Sequence, residues 1–158
     1  MERAVVDRWF RSYGPSVLRR SRALLRNEDA ARDALQEVFL RVVRAESEFR
    51  QEASPTTWLY RATTNYCLNL MRDSRRRQQL LAEQPAKVEG MESRVQNQLH
   101  LVQVLQKVPS DLQEIAVYHY VDQMSHDEIA EMLGLSRRTV GNRLEAFRVA
   151  AASGESHG

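Results

Sequence analysis

The segment SHDEIAEMLGLSRRTVGNRLEAFR, residues 125–148, contains two short amphipathic helical patterns that a single glycine separates. Ser125 and Glu128 have the S-x-x-E spacing of a capping box at the start of the first pattern. Gly134 stands where a left-handed residue ends a helix, and Ser136 is placed to cap the next one. The segment therefore predicts a helix, a tight turn and a second helix.

The second of these helices has an apolar face and a polar face. Val140, Leu144 and Phe147 recur at i, i+4 and i+7, so they are expected to face a core. The outward residues near the helix start are of types that hydrogen-bond bases or phosphates: Arg137, Arg138, Thr139, Asn142 and Arg143. From a helix in the major groove, arginine pairs with guanine and asparagine with adenine. The pattern favours a DNA-reading helix-turn-helix over a hairpin whose arginines serve only solubility.

Gly141 interrupts this second helix, and glycine inside a helix costs about 1 kcal/mol relative to alanine. Close approach of the backbone to a DNA strand or to a neighbouring helix would explain its presence. Simple tolerance would explain it equally well, and the sequence leaves these alternatives open.

The 158-residue chain has the composition of a soluble helical protein, with 42% hydrophobic and 28% charged residues but only 6 glycines and 4 prolines. Proteins with many strands need more turn residues, so we expect an all-α fold. Residues 1–80 contain 16 arginines and 10 acidic residues, net +6, which leaves 7 basic and 11 acidic residues, net −4, downstream. The basic half suits a polyanion, although a solvated surface has the same charge pattern.

Cysteine and histidine usage excludes several classes of site. Cys67 is the single cysteine, so no intramolecular disulfide can form. No cluster of cysteine and histidine has the spacing of metal ligands, and we expect neither a metal nor a cofactor. The N-terminus lacks a signal-peptide pattern, and no stretch approaches 18 uninterrupted apolar residues. These features predict a cytoplasmic protein without membrane insertion.

The first half of the chain predicts a series of helices. Residues 5–25 give two helices or one bent helix around Gly14 and Pro15. Asn27 is predicted to be the N-cap of the next helix. The apolar residues of that helix keep helical spacing: Ala31, Ala34, Leu35, Val38, Phe39, Val42 and Val43. After a break at 49–55, a long helix is expected to start near Thr56, and a polar stripe runs along it: Arg61, Asn65, Asn69 and Arg72.

The second half begins with a mostly polar stretch, residues 78–98, which we interpret as a linker. Beyond it, Pro109 ends a short helix, and Ser110 with Gln113 is a second predicted capping box. We expect two small helical domains joined by this linker, the C-terminal one containing the helix-turn-helix. The predicted limits are 1–77 for the first domain, 78–98 for the linker, 99–150 for the second domain and 151–158 for a tail.

Three segments resemble, in order and separation, parts of bacterial sigma factors of the extracytoplasmic-function (ECF) type. DAARDALQEVFLRVV, residues 29–43, is similar to their region 2.2, and TWLYRATTNYCLNLMRDSRRR, residues 57–77, to region 2.4. Residues 99–148, with EIAEMLGLSRRTV, resemble region 4. The resemblance implies a transcription initiation factor, not itself an enzyme. Such a factor binds core RNA polymerase, directs it to the −35 and −10 promoter elements and assists melting.

The resemblance implies a polymerase-binding face on the helix that follows Asn27. This face would dock on the clamp of the largest polymerase subunit, and region 4 on the flap of the second-largest. A solvated helix face is the alternative. The residues of the face are Asp33, Gln36, Glu37 and Arg41.

The resemblance likewise implies two DNA contacts. The stripe on the long helix would bind the −10 element, and the Phe49–Pro55 loop would capture an unstacked base. The residues expected at the −10 element are Arg61, Asn65, Asn69, Arg72 and Arg75. Those expected at the −35 element are Arg137, Arg138, Thr139, Asn142 and Arg143. Trp58, Tyr60 and Tyr66 are candidates for base stacking, although aromatic residues at helical spacing usually belong to a core.

The family commonly works with an anti-sigma factor, so we expect such a partner, in the cytoplasm or holding the chain at the membrane. Because the chain ends soon after region 4, we expect no large C-terminal sensing domain, and we expect regulation to come from a separate partner. The sequence departs from the family at Gly141, where many relatives carry a basic residue. We therefore expect either one phosphate contact fewer or a different approach angle of the recognition helix.

Three other functions compete with this interpretation. A stand-alone helix-turn-helix repressor or activator would bind a palindromic duplex without polymerase. A recombinase would need an activated nucleophile, and the candidates Ser12, Tyr13, Ser16 and Ser21 have no activating group apparent nearby. A purely structural helical protein would not explain two basic and polar faces.

Overall fold

A computed structural model describes residues 3–45, 54–81, 103–105 and 107–155. These residues contain no strand, which confirms the expected all-α fold. They form two compact units that divide at Leu68. The helices are α1 Arg3–Leu25, α2 Glu28–Arg44, α3 Pro55–Leu81, α4 Ser110–Ala116, α5 His126–Leu133 and α6 Arg137–Glu155, with a π-helical segment, Val117–Val121, directly after α4.

A two-residue turn joins α1, which runs unbroken through Pro15, to α2. Arg26 takes the left-handed conformation, φ 58°, and ends α1. The predicted N-cap at Asn27 is confirmed, because its Oδ1 accepts a hydrogen bond of 2.9 Å from the Ala30 amide. Arg22 donates two hydrogen bonds of 2.7 Å to Glu28, and they lower the pKa of that carboxyl. The turn thus fixes α2 against the end of α1.

Helices α1, α2 and α3 share the core of the first unit. Its buried residues are Val17, Val38, Phe39, Val42 and Leu59, with Trp9, Tyr13 and Trp58 packed at its edge. Val43, the last apolar residue of the helical pattern in α2, lies outside this core, because its side chain is 46% exposed. Successive helical residues turn by about 100°, so Val43 lies beyond the stripe that ends at Val42.

A buried arginine holds α3 against α1. Arg20 is only 2% exposed, and its Nη1 donates a 2.9 Å hydrogen bond to the Tyr60 carbonyl. Its Nη2 donates to Thr64 Oγ1, and the guanidinium lies 4.2 Å from the centroid of the Tyr60 ring. A buried charge is tolerated only when hydrogen bonds satisfy it. These contacts therefore specify which side of α3 faces inward.

The helix-turn-helix at residues 125–148 has the predicted local chemistry. Ser125 Oγ accepts from the Glu128 amide at 3.1 Å, and Glu128 Oε1 accepts from the Ser125 amide at 3.0 Å. Gly134 has φ 68° at the end of α5, as expected of a left-handed C-terminal residue. Ser136 Oγ accepts from the Thr139 amide at 3.0 Å and so caps α6. These contacts confirm the capping box, the glycine turn and the second cap.

The capping box predicted at Ser110 and Gln113 is wrong. Pro109 occupies the N-cap of α4, and no side chain caps that helix. Gln113 is instead buried, and its Nε2 donates to the Leu105 carbonyl. The Gln113 side chain thus hydrogen-bonds the segment that precedes α4. This contact depends on the tertiary structure, so the spacing of residues along the chain could not predict it.

The predicted domain limits stay a prediction. Helix α3 continues to Leu81, four residues into the stretch expected as a linker, and the rest of 78–98 lies outside the described residues. Helix α6 continues to Glu155, into the expected tail, and residues 156–158 are likewise outside.

We predict that Arg20→Ala destabilises the first unit by about 3 kcal/mol, because hydrogen bonds from a buried charged group are lost. Trp9 and Trp58 are the two tryptophans of the chain, and both belong to this unit. Tryptophan fluorescence during urea unfolding therefore reports the first unit selectively. The neighbouring Arg19 is exposed, and Arg19→Ala should change the stability by no more than about 0.5 kcal/mol. Equal effects of the two variants would contradict the role of Arg20.

Candidate nucleic-acid interface

The start of α6 presents a polar surface to solvent while its other face is buried. Val140, Leu144 and Phe147 are 0%, 6% and 4% exposed, as their spacing predicts. Arg137, Arg138 and Asn142 are exposed, and Thr139 and Arg143 are half-buried. The five residues predicted to contact DNA thus lie on one helix, and three of them are exposed.

Thr139 differs from the other four because its side chain takes part in the helix cap. Its Oγ1 accepts a 2.9 Å hydrogen bond from Ser136 Oγ, while its amide donates to the same oxygen. The hydroxyl therefore helps to shape the first turn of α6.

Gly141 is half-buried on α6, in open surroundings. A Cβ atom built there would have a single neighbour within 4 Å, His126 Nδ1 at 3.9 Å, which is ordinary van der Waals contact. Close approach of a neighbouring helix therefore does not explain this glycine. Among the alternatives left open by the sequence, tolerance and approach to DNA remain.

An ion pair joins the two helices of the helix-turn-helix at this surface. Arg137 Nε lies 3.5 Å from Oδ1 of Asp127, which belongs to the first turn of α5. Both side chains remain largely exposed, at 73% and 71%. Sequence spacing does not point to Asp127, because an acidic residue in a first turn is already explained by the helix dipole.

A second polar surface follows α3. Arg61, Asn65, Asn69 and Arg72 are all exposed, in agreement with the predicted stripe. The side chain of Arg75, which is also expected at the −10 element, is outside the part of the chain that the structure describes. So are residues 49–53 of the predicted base-capturing loop.

The three aromatic candidates for base stacking make internal contacts. Trp58 packs against the core of the first unit, and Tyr60 lies under the Arg20 guanidinium. The Tyr66 ring lies 5.2 Å from the Arg41 guanidinium carbon. Burial and the nearby Glu37 carboxylate raise the pKa of Tyr66. These contacts favour the structural interpretation of all three rings.

The expected polymerase-binding face lies along α2. Asp33 and Gln36 are exposed, whereas Glu37 and Arg41 are partly buried. Arg41 Nε lies 3.5 Å from Glu37 Oε1, so these two residues neutralise each other on the helix surface. The four residues therefore form a mixed face of polar and paired charged groups.

The single cysteine is not part of either surface. Cys67 is buried, and its Sγ donates to Ser21 Oγ at 3.8 Å. Burial raises the pKa of the thiol to about 11, so it stays protonated and unreactive near neutral pH. Among the helices that the structure describes, none is long and apolar enough to span a membrane.

Two exposed polar surfaces, one of them on a helix-turn-helix, are characteristic of a DNA-binding helical protein. Comparison of the chain with protein families identifies the class of DNA-binding protein to which it belongs. The family model for Sigma-70 region 2 matches residues 9–77, and that for Sigma-70, region 4 matches residues 98–148. The chain belongs to the sigma-70 family, in its ECF group, and is a transcription initiation factor.

Individual relatives agree with this assignment. The ECF RNA polymerase sigma factor SigM of Mycobacterium tuberculosis is 26% identical over 151 residues, which cover 96% of this chain and 77% of SigM. The ECF RNA polymerase sigma factor SigE of Mycolicibacterium smegmatis is 28% identical over 150 residues, which cover 90% of this chain and 58% of SigE.

Solved structures share the fold. CnrH, in complex with the cytosolic domain of CnrY, matches with a TM-score of 0.58 and 20% identity over 99% of this chain and 90% of CnrH. The sigma factor RpoE of Bartonella quintana, in complex with the anti-sigma factor NepR, matches with a TM-score of 0.55 and 17% identity. That match covers 93% of this chain and 94% of RpoE.

We predict that Gly141→Ala stabilises the second unit by about 0.5–1 kcal/mol, because alanine restricts the unfolded chain and meets no close neighbour here. Gly134→Ala is the matched control, and it should destabilise the unit because Gly134 has φ 68°. Thermal unfolding followed by far-UV circular dichroism measures both changes. A loss of stability in Gly141→Ala would mean that the site is more crowded than described.

Proposed function

We propose that this sigma factor binds core RNA polymerase through α2, directs it to −35 and −10 promoter elements and assists melting of the duplex. The observation that carries the proposal is the pair of exposed polar surfaces, one on α3 and one at the start of α6, in chain segments that match sigma regions 2 and 4. The polymerase performs the chemistry, and the chain supplies the contacts that select the promoter.

The −35 element is the proposed target of α6. Its first turn carries Arg137 and Arg138, and Asn142 follows on the same exposed side. Arginine and asparagine recognise guanine and adenine in the major groove, and helix N-terminal amides add phosphate contacts. Arg143, together with Thr139, whose hydroxyl is bonded to the Ser136 cap, would help to hold α6 close to the DNA backbone.

The −10 element is the proposed target of α3. Arg61 and Arg72 would neutralise phosphates, and Asn65 and Asn69 would hydrogen-bond the bases of a separated strand. Arg75, which follows Arg72 in the sequence of α3, is proposed to contact the −10 element as well. Because one chain carries both surfaces, each contact raises the effective concentration of the other, so that two weak interactions can select a promoter.

An anti-sigma factor is the proposed regulatory partner. The matching RpoE structure is a complex with the anti-sigma factor NepR, and CnrH is bound to the cytosolic domain of CnrY. A cytoplasmic location follows from the proposed partners, since the polymerase and its promoters are there.

The polymerase-binding assignment predicts that Gln36→Ala combined with Glu37→Ala abolishes or strongly reduces co-elution with bacterial core RNA polymerase. Glu37 pairs with Arg41 in a partly buried position on the surface of α2, so its loss should cost the fold only about 0.5 kcal/mol. Size-exclusion chromatography of the mixture measures binding, and run-off transcription measures function.

A matched control removes one acidic and one neutral polar side chain from exposed positions of α1, as Asp7→Ala with Ser12→Ala. This control should co-elute and transcribe as the unchanged protein does. If the unchanged protein neither co-elutes nor supports a transcript, yet shifts a palindromic duplex alone, the chain acts as a stand-alone regulator.

The −35 assignment predicts that Arg137→Ala, Arg138→Ala and Asn142→Ala each relax selection at one −35 position and cost about 1–3 kcal/mol of discrimination. The holoenzyme would select binding sites from duplexes randomised at both promoter elements. Bases selected at −35 should broaden in these variants while those at −10 stay the same. An unchanged −35 preference in all three variants would refute the assignment.

A further inference from the structure

We propose that Asp127 is a positioning residue for promoter recognition: its carboxylate orients Arg137 and thereby sharpens the choice of one −35 base. The inference rests on the proposed function, because it assigns Arg137 to a base edge. The contact that carries it is the ion pair between α5 and the first residue of α6, with Arg137 Nε 3.5 Å from Asp127 Oδ1.

Both ends of this ion pair are on fixed backbone. Asp127 lies within the capping box of α5, between Ser125 and Glu128, which exchange two hydrogen bonds. Arg137 follows Ser136, whose side chain accepts from the Thr139 amide. The positions of the two Cα atoms are therefore set by the helix-turn-helix itself, and the remaining freedom is that of the two side chains.

The geometry of the ion pair leaves the two terminal guanidinium nitrogens of Arg137 available to hydrogen-bond a base. The carboxylate lies nearest to Nε, while the two terminal nitrogens are the fork that can pair with guanine O6 and N7. An arginine that is already oriented loses less side-chain freedom on binding, and a correct base then gains more over an incorrect one. A long exposed side chain without such a partner would sample many rotamers.

The negative charge of Asp127 is also expected to weaken the binding of DNA in general. A carboxylate close to the DNA repels phosphates whatever the base sequence, so its removal strengthens binding uniformly. A positioning role instead changes the preference at one base. The two effects are separable because the first alters all sequences alike and the second alters only discrimination.

The test compares Asp127→Asn with Glu131→Gln. Glu131 is an exposed acidic residue of the same helix, so both variants lose one negative charge from α5. Each variant would be assembled with core RNA polymerase and given duplexes randomised in the −35 element, with bound sequences counted. Asp127→Asn should lower discrimination at the base that Arg137 reads by about two- to fivefold, the range expected of an exposed ion pair. Glu131→Gln should leave every base preference unchanged.

Two further variants make the assignment specific. Asp127→Glu keeps a carboxylate within reach and should restore most of the discrimination. In the Arg137→Ala background, Asp127→Asn should have no additional effect on preference, because the residue through which it acts is gone.

The outcomes separate the inference from the function on which it rests. If Asp127→Asn changes affinity uniformly and leaves the −35 preference of the unchanged protein intact, the positioning role is wrong and the promoter assignment stands. If the unchanged protein with polymerase enriches no −35 sequence, the proposed function itself fails.

Discussion

The packing of α3 against α1 in the first unit depends on the hydrogen bonds of the Arg20 guanidinium. This group is buried between α1 and α3, and its hydrogen bonds reach the Tyr60 carbonyl and the Thr64 hydroxyl. Because Tyr60 and Thr64 are drawn inward, the residues that follow each of them, Arg61 and Asn65, are turned outward. A single buried charge thus sets the rotation of α3 and thereby the surface proposed to meet the −10 element.

In the second unit, helix caps determine which side of α6 is exposed. The Ser125–Glu128 box, the left-handed Gly134 and the Ser136 cap define where α5 ends and α6 begins. The apolar stripe of α6 then fixes which residues are buried, and Arg137 and Arg138 lie on the exposed side. In α3 and in α6 alike, the side chains proposed to contact DNA are positioned by contacts made on the opposite side of the same helix.

Local patterns in the sequence were sufficient to predict the helices, the N-cap at Asn27 and the chemistry of the glycine turn, since these depend on near neighbours. Tertiary contacts were not predictable in this way. Gln113 has the spacing of a capping residue but satisfies a carbonyl before α4, and Val43 continues an apolar period beyond the buried stripe. Arg20 and Asp127 escaped prediction for the same reason, because each acts on a residue of another helix.

The central claim is that the two surfaces select a promoter only as part of a polymerase complex. The most direct measurement is the affinity of the protein for a duplex carrying the selected −35 and −10 elements and for a scrambled duplex, with and without core RNA polymerase. We expect discrimination between the two duplexes only when polymerase is present. Equal discrimination by the protein alone would contradict the account.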